Sequence, residues 1–312
     1  MRDLLIISIV AVAAVLALRR PWVGVLLWTW LSIMNPHRFA WGIAYSAPLA
    51  AIAAGCTLVG LIFTRERQSP FQGPPVTIFV MLALWITVAW LLGVDVDGDY
   101  PQWTKVMKIY FMTLVALCLL RTKQQIVAFA WVTTGSLALL GAKGGLFTIL
   151  TGGSYRVWGP PESFIADNNE FALSLIMAIP LMYFLLQQLT KRWQKHIMAA
   201  TMLLCVAAAA GSQSRGALVA IVGMGSVFWW RSRNKLTVAV IICLLSVFAL
   251  PLMPETWWTR MSTIQNYEQD ASAIGRLNGW YVAWEVAKNH FFGGGMSYQH
   301  QGFFTLYGLY NA

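Results

Sequence analysis

Charge is what this sequence has least of. Only 11% of its 312 residues are charged, with 12 acidic against 22 basic, and histidine and cysteine number four each. An average soluble domain has about a quarter of its residues charged, so a water-exposed globule is excluded. Cys56, Cys118, Cys205 and Cys243 stand singly in apolar segments without CxxC spacing, and read as helix-packing residues that carry no message about redox compartment. No HExxH, CxxC or paired-histidine spacing is present to hold a metal. Gly293-Gly294-Gly295 lacks the following lysine and the strand-to-helix context of a nucleotide loop, so the sequence calls for no cofactor.

What is there is apolar and arranged in blocks. Hydrophobic residues make up 58% of the chain and the mean hydropathy is +0.61. The blocks run for about 15 to 25 residues, the length a helix needs to cross a bilayer. They fall near 4–18, 22–35, 46–64, 75–93, 105–120, 126–150, 169–189, 197–211, 214–230 and 236–253. The first resembles a secretory leader because Arg2 precedes it, but it ends in Arg19-Arg20-Pro21 without a small-residue cleavage site, and another block follows at once. The expected fold is therefore an all-α polytopic integral membrane protein with about ten transmembrane helices over 1–253, followed by an outer region over 254–312.

The connecting segments alternate in charge. Arg19/Arg20, Arg65/Arg67, Arg121/Lys123, Lys191/Arg192/Lys195 and Arg231/Arg233/Lys235 fall on one side, which the positive-inside rule makes cytoplasmic. Glu66 is the only acidic residue on that side, while Asp95, Asp97, Asp99, Glu162, Asp167, Glu170, Glu255, Glu268, Asp270 and Glu285 fall opposite. The N-terminus is then expected on the periplasmic side of a bacterial inner membrane, as is everything after about residue 253. Of the 22 basic residues, 12 lie in those short turns, where topology and anionic lipid headgroups account for them. The net charge of +10 therefore does not point to nucleic acid, for which no basic, aromatic-interleaved module exists. Trp22, Trp28, Trp30, Trp103, Trp158, Trp193, Trp229, Trp230, Trp257 and Trp258 sit near block ends, as an interfacial belt does.

Two outer segments are longer than the rest, 151–169 and 254–312, and long connections tend to carry function. The second includes Ile274, Leu277, Trp280, Tyr281, Trp284 and Ala287 at helical spacing, which predicts an amphipathic helix lying at the membrane-water interface. The most informative single residue is Arg215, within GSQSRGAL at an outer turn between two blocks. Its planar, permanently charged fork is suited to a phosphate or diphosphate, and Gly211 and Gly216 would let a large headgroup approach. The competing reading is an end-of-helix anchor reaching for lipid headgroups. Arg276, near the expected start of the amphipathic helix, is unfavourable against the helix dipole and fits either a phosphate ligand or a solvated pair with Asp270 or Glu268.

Arg156 and the run Asp167-Asn168-Asn169-Glu170 are either glycan or acceptor contacts or, for the run, a helix N-cap. Lys143, among Gly141, Gly144 and Gly145, interrupts an apolar block and either reaches outward or lines a polar cavity. His196 sits among lysines and His37 follows Asn35-Pro36 as a structural residue, while His290 and His300 flank the triple glycine as weak candidates for a general base.

These residues carry a resemblance. The opening MRDLL…RRPWVGVLLWTWLSIMNPHRFAWG, the loop GSYRVWGPPESFIADNNEFAL, the turn GSQSRGALVA and the segment GR…GWYVAWEVAKNHFFGGG resemble the O-antigen ligase and polymerase superfamily, and within it the O-glycosylation ligases of exosortase A-associated systems. The resemblance implies a metal-independent glycosyltransferase whose donor is an undecaprenyl-diphosphate-linked glycan and whose acceptor is a lipid, a polysaccharide or a protein on the periplasmic face. It gives Arg215 and Arg276 the role of holding the donor diphosphate. It also implies a histidine base before a further span with an HSxYF-like pattern. The sequence ends at Tyr310-Asn311-Ala312 without it, so a C-terminally shortened chain with the base beyond Ala312 is expected. The alternative is a transporter or flippase of the same lipid; no internal repeat of the kind transporters show is evident.

Overall fold

A computed structural model of the chain describes residues 2–249, 255, 257–258, 271–296 and 301–309. Among these, every regular element is a helix: α1 Arg2–Arg19, α2 Pro21–Met34, a 3₁₀ turn Pro36–Phe39, α3 Ile43–Ser46, α4 Leu49–Phe63, α5 Pro74–Leu91, α6 Val96–Leu119, α7 Lys123–Leu150, α8 Asn168–Gln188, α9 Arg192–Gly211, α10 Arg215–Arg231, α11 Lys235–Ala249, α12 Ala271–Asn289 and α13 Gln301–Tyr307. Each of the ten apolar blocks overlaps one of these helices, the block 46–64 also touching the end of α3 and the block 236–253 running beyond the described residues. Four of them, α5, α7, α8 and α9, are long and apolar enough to cross a membrane by length and composition, and α2 and α4 are shorter apolar helices. His300, Glu268 and Asp270 lie outside the described residues.

The helix starts follow local chemistry. Proline opens α2 and α5, where a missing N–H costs no hydrogen bond. Thr122 and Gln125 form a capping box on α7, Gln125 N–H donating to Thr122 Oγ1 at 3.3 Å and Thr122 N–H to Gln125 Oε1 at 3.0 Å. Helix α6 begins nine residues before the expected boundary, at Val96 rather than 105, because Asp95 caps it by accepting the Gly98 N–H at 2.9 Å. Apolar periodicity did not reveal those polar first turns.

The helices group into two compact units. Unit 1 holds Met1–Arg65 and Thr122–Met261, and its core is a cluster of Leu137, Leu140, Phe171, Leu175, Ile179, Met182, Cys205 and Ala208 from α7, α8 and α9. Lys143 and the glycines interrupt the apolar pattern of α7 but not the helix, which is continuous over the single block 126–150. The glycines instead permit a close crossing. A Cβ on Gly145 would overlap the Leu204 carbonyl of α9, and one on Gly141 would overlap Cys205 Sγ. This is small-residue packing of the kind that holds helices together in lipid, where apolar side chains gain nothing by leaving the solvent. Gly24 against Thr57 and Gly60 against the Ala17 carbonyl repeat the device among α1, α2 and α4.

Unit 2 holds Glu66–Arg121 and Ser262–Ala312. Trp90 stacks on Trp103 and Phe79 on Tyr110, each at 4.2 Å between ring centroids, tying α5 to α6. Asp99 is buried and accepts the Met296 N–H at 2.6 Å, while Val94 N–H donates to the Gly294 carbonyl at 3.3 Å, so the triple-glycine loop is latched to the start of α6. Gly293 and Gly295 sit at φ 87° and 103°, a backbone conformation that suits glycine and few other residues. The loop is thus a structural latch.

The face of α12 differs from a simple inward stripe. Leu277, Trp280 and Trp284 are exposed, while Asn278, Val282 and Val286 are buried, the last two against Phe303 of α13. Asn278 Oδ1 accepts the Leu309 N–H at 2.8 Å. The Leu-Trp stripe therefore points away from α13, and with Val282 and Val286 on the packed side the helix is apolar on two sides rather than amphipathic as expected. Helix α5 has a similar outward apolar surface, with Ile78, Met81, Leu84 and Trp85 exposed. Contiguous apolar surface on this scale is tolerated in lipid and rarely in water.

Candidate functional site

The C-terminal ends of α2, α7 and α9 and the N-terminal ends of α8 and α10 lie together on one side of unit 1. The hydrogen bonds that join them span large sequence separations. Val157 N–H donates to the Gly211 carbonyl at 3.1 Å, Gln213 Nε2 to the Gly153 carbonyl at 3.1 Å, and Arg156 Nε to Gln213 Oε1 at 3.4 Å. Asn168 Nδ2 donates to the Ser212 carbonyl at 2.8 Å, and Asn35 Nδ2 to the Pro161 carbonyl at 2.8 Å. Arg38 pairs with Glu162 at 2.7 Å and lies over the Tyr45 ring at 4.7 Å. The 151–167 segment is thus stitched to both the 35–45 segment and the 212–214 turn.

Ser212, Gln213 and Ser214 are all buried, which is tolerable only when their polar atoms are satisfied. Ser212 Oγ donates to the Ala209 carbonyl at 2.6 Å, and Ser214 Oγ accepts the Ala217 N–H at 3.2 Å as the N-cap of α10. Gln213 holds a left-handed φ of 55°, which costs a non-glycine residue about 1 kcal/mol. Its side chain repays that by bridging Gly153 and Arg156. The half-buried Arg215 follows immediately, as the first residue of α10, so its backbone is fixed by a capped, buried, cross-linked turn.

The acid-amide run serves the fold. Asp167 caps α8, accepting from the Asn169 N–H at 2.8 Å and from Asn169 Nδ2 at 2.9 Å, while Asn168 is buried against Ser212. Glu170 is exposed. Burial alone would push the Asp167 carboxyl up, but the bonds from Asn169, Glu170 and Asn168 together hold it below its usual 3.8. The capping reading of the run is therefore the one the geometry shows. Exchanging Asn168 for leucine leaves the buried Ser212 carbonyl without its donor. A loss of about 1–3 kcal/mol is expected, read as a lower midpoint of thermal unfolding in detergent.

His37 lies in the 3₁₀ turn beside Arg38, its Nδ1 buried and, among the described residues, without a hydrogen-bond partner. Desolvation, reinforced by the neighbouring Arg38, pushes its pKa below 6.5 against an opposing pull from Glu162. A depressed histidine pKa means the unfolded chain takes up a proton that the folded chain refuses. Its contribution is complete above pH 6.5 and diminishes as pH falls below it. Asp167 acts in the same direction at lower pH, its contribution being lost as pH falls below 3.8. The thermal midpoint should be level from pH 8 to about 6.5 and then decline, and His37→Phe should remove the first decline.

Of the other predicted positions, Arg276 is exposed on α12 of unit 2. Because α12 already runs from Ala271, Arg276 lies in its second turn, beyond the reach of the dipole argument that singled it out. His290 ends α12 half-buried, its ring edge-on to Phe303 at 5.8 Å. Sequence reasoning missed Gln213, Arg38 and Phe39. Phe39 carries the Lys143 ammonium 5.1 Å from its ring centroid and shares a cavity with Lys143 and Arg156. Lys143 was visible as a charge inside an apolar block, but its neighbours were not.

A bundle of apolar helices with outward-facing apolar surface and a polar, cross-linked end defines a multi-pass membrane protein. The chain belongs to the family described as "Family of unknown function (DUF5935)", whose model matches residues 1–185. Residues 200–311 match the model described as "O-Antigen ligase", which supports the O-antigen ligase superfamily and a glycosyl-transfer type of enzyme. That second match includes the 212–214 turn, Arg215, Arg276 and His290. No curated protein and no solved structure matches the chain.

Proposed function

We propose that this protein is an inner-membrane glycosyltransferase with about ten spans, which moves a glycan from undecaprenyl diphosphate to an acceptor on the periplasmic face. The observation that carries the reading is Arg215: a guanidinium on a buried, cross-linked turn, within the region that matches the O-antigen ligase model. In this reaction the acceptor hydroxyl oxygen bonds to the anomeric carbon as the bond from that carbon to the diphosphate oxygen breaks. The hydroxyl proton passes to a base, and undecaprenyl diphosphate leaves. Two parallel hydrogen bonds from Arg215 to the departing diphosphate match its planar fork, and a cation fixed before the reaction stabilises charge that grows as the bond breaks.

Arg276 is a second proposed donor contact, and Arg156 and Glu170 are proposed glycan or acceptor contacts. Asp167, Asn168 and Asn169 would act by fixing the loop that presents them. The exposed Leu277, Trp280 and Trp284 of α12 suit a helix in contact with lipid. The test uses the protein in vesicles, with undecaprenyl-diphosphate-linked glycan in the leaflet that meets the 151–167 loop. Free undecaprenyl diphosphate that appears only with an acceptor supports transfer. Movement of intact donor between leaflets, with no release, would make the protein a flippase and end the transferase reading.

A further inference from the structure

A cavity of about 240 Å³ opens between α7 and the 156–160 segment of unit 1. Its wall carries two cations, Lys143 and Arg156, four aromatic rings, Phe39, Phe147, Trp158 and Phe171, and, among the described residues, no carboxylate. Lys143, Arg156 and Trp158 are exposed at its mouth, where a ligand can reach them from solvent. Lys143 stands seven residues before the end of α7, about 10 Å along the helix from its last residue, where a cation needs a reason to be. Among the described residues it pairs with no carboxylate, and its charge faces the Phe39 ring. Arg156 uses Nε on Gln213, and among the described residues its two terminal nitrogens donate to no protein acceptor. The two cations line one cavity without a protein anion between them.

We propose that this cavity binds one acidic sugar ring, a hexuronate-type residue of the glycan, with its carboxylate between Lys143 and Arg156 and its C–H face on Trp158. Three features select that class. Two donor-rich cations on one wall call for an anion, and Arg156 offers the paired terminal N–H groups that match a carboxylate. Aromatic walls call for a ring with an apolar face, which a pyranose has and inorganic phosphate lacks. Size excludes more than one ring: pockets for drug-sized ligands run to roughly 300–1,000 Å³, and this one is smaller. The proposal deepens the transferase reading by naming the chemistry of the glycan, and it rests on that reading only for the use to which binding is put.

Binding is measured directly, on the full chain in nanodiscs of neutral lipid, by equilibrium dialysis with a labelled glucuronate oligosaccharide and with a neutral glucose oligosaccharide of equal length. The acidic ligand should bind at least ~10-fold more tightly than the neutral one. Lys143→Gln and Arg156→Gln should each weaken it by about 10- to 100-fold, while Arg156→Lys should recover part of the loss. Equal affinity for both ligands, or indifference to both glutamine variants, overturns the assignment. Competition by added phosphatidylglycerol that is lost in Lys143→Gln would give the cavity to a lipid headgroup and also overturn it. Arg215→Ala should leave glucuronate binding within ~2-fold, so failure of this site and failure of glycan transfer are read separately.

Discussion

Arg215→Ala is expected to lower the rate of undecaprenyl diphosphate release by about 100- to 1,000-fold, the usual cost of removing one preorganised donor to a developing anion. The change should appear in the maximal rate, because charge on the diphosphate grows only as the glycosidic bond breaks. Arg215→Lys keeps the charge but loses the two parallel hydrogen bonds, and should fall between the wild type and alanine, about 10-fold down. The turn itself should survive both changes. The residues that fix the turn are Ser212, Gln213 and Ser214, whose hydrogen bonds to Ala209, Gly153 and Ala217 do not involve the Arg215 side chain. An unchanged thermal midpoint together with the lost rate would separate chemistry from folding. Unaltered release from Arg215→Ala would leave the arginine a lipid-headgroup anchor and remove the main support for the proposed donor site.

Gln213→Ala offers a check on that partition. It frees a residue strained at φ 55° but removes both the bond to Gly153 and the acceptor of Arg156. Because the 151–167 segment carries Arg156, release of Gln213 should disturb Arg156 and Arg215 together. Coupled sites of this kind give non-additive double mutants.

The helices were legible because lipid imposes a simple rule: a backbone crossing hydrocarbon must satisfy its own hydrogen bonds, so long apolar runs become helices. The run at 126–150 is α7 and that at 169–189 is α8, displaced by a few residues at most. The cap at Asp167 was legible for a local reason, since an acid-amide run before an apolar block satisfies the first N–H groups of a helix. What could not be read was non-local. Nothing at position 156 announces a partner 57 residues away at Gln213. Gly141, Gly144 and Gly145 stood out only as a gap in an apolar pattern, because their use depends on α9 lying against them. The buried face of α12 was hidden for a different reason. Leu277, Trp280 and Trp284 face out while Val282 and Val286 of the same helix face in, so with apolar residues on both sides periodicity alone does not say which stripe packs.

The glycine seam gives the largest expected effect on folding. Gly145→Ala should destabilise the protein by about 1–3 kcal/mol, the usual cost of forcing extra volume into a packed interface. Here the obstacle is the Leu204 carbonyl of α9, a backbone atom that cannot rotate away as a side chain would. Gly145→Val should be worse, adding bulk and a β-branch in mid-helix, and should leave little monodisperse protein after detergent extraction. Gly135→Ala on the same helix is the control: a Cβ there meets nothing within 4 Å, so the substitution should be neutral or stabilising through helix propensity alone, by up to about 1 kcal/mol. Opposite responses at two glycines of one helix would locate the stability of unit 1 in the α7–α9 crossing. They would also link it to the site, because Thr148 lies against Gly211 and Val157 against Gly144, so parting α7 from α9 pulls the 151–167 segment off the turn that holds Arg215. Tolerance of alanine at Gly145 equal to that at Gly135 would mean the two helices do not cross there as closely as the structure has them, and the support argued for the turn would fall with it.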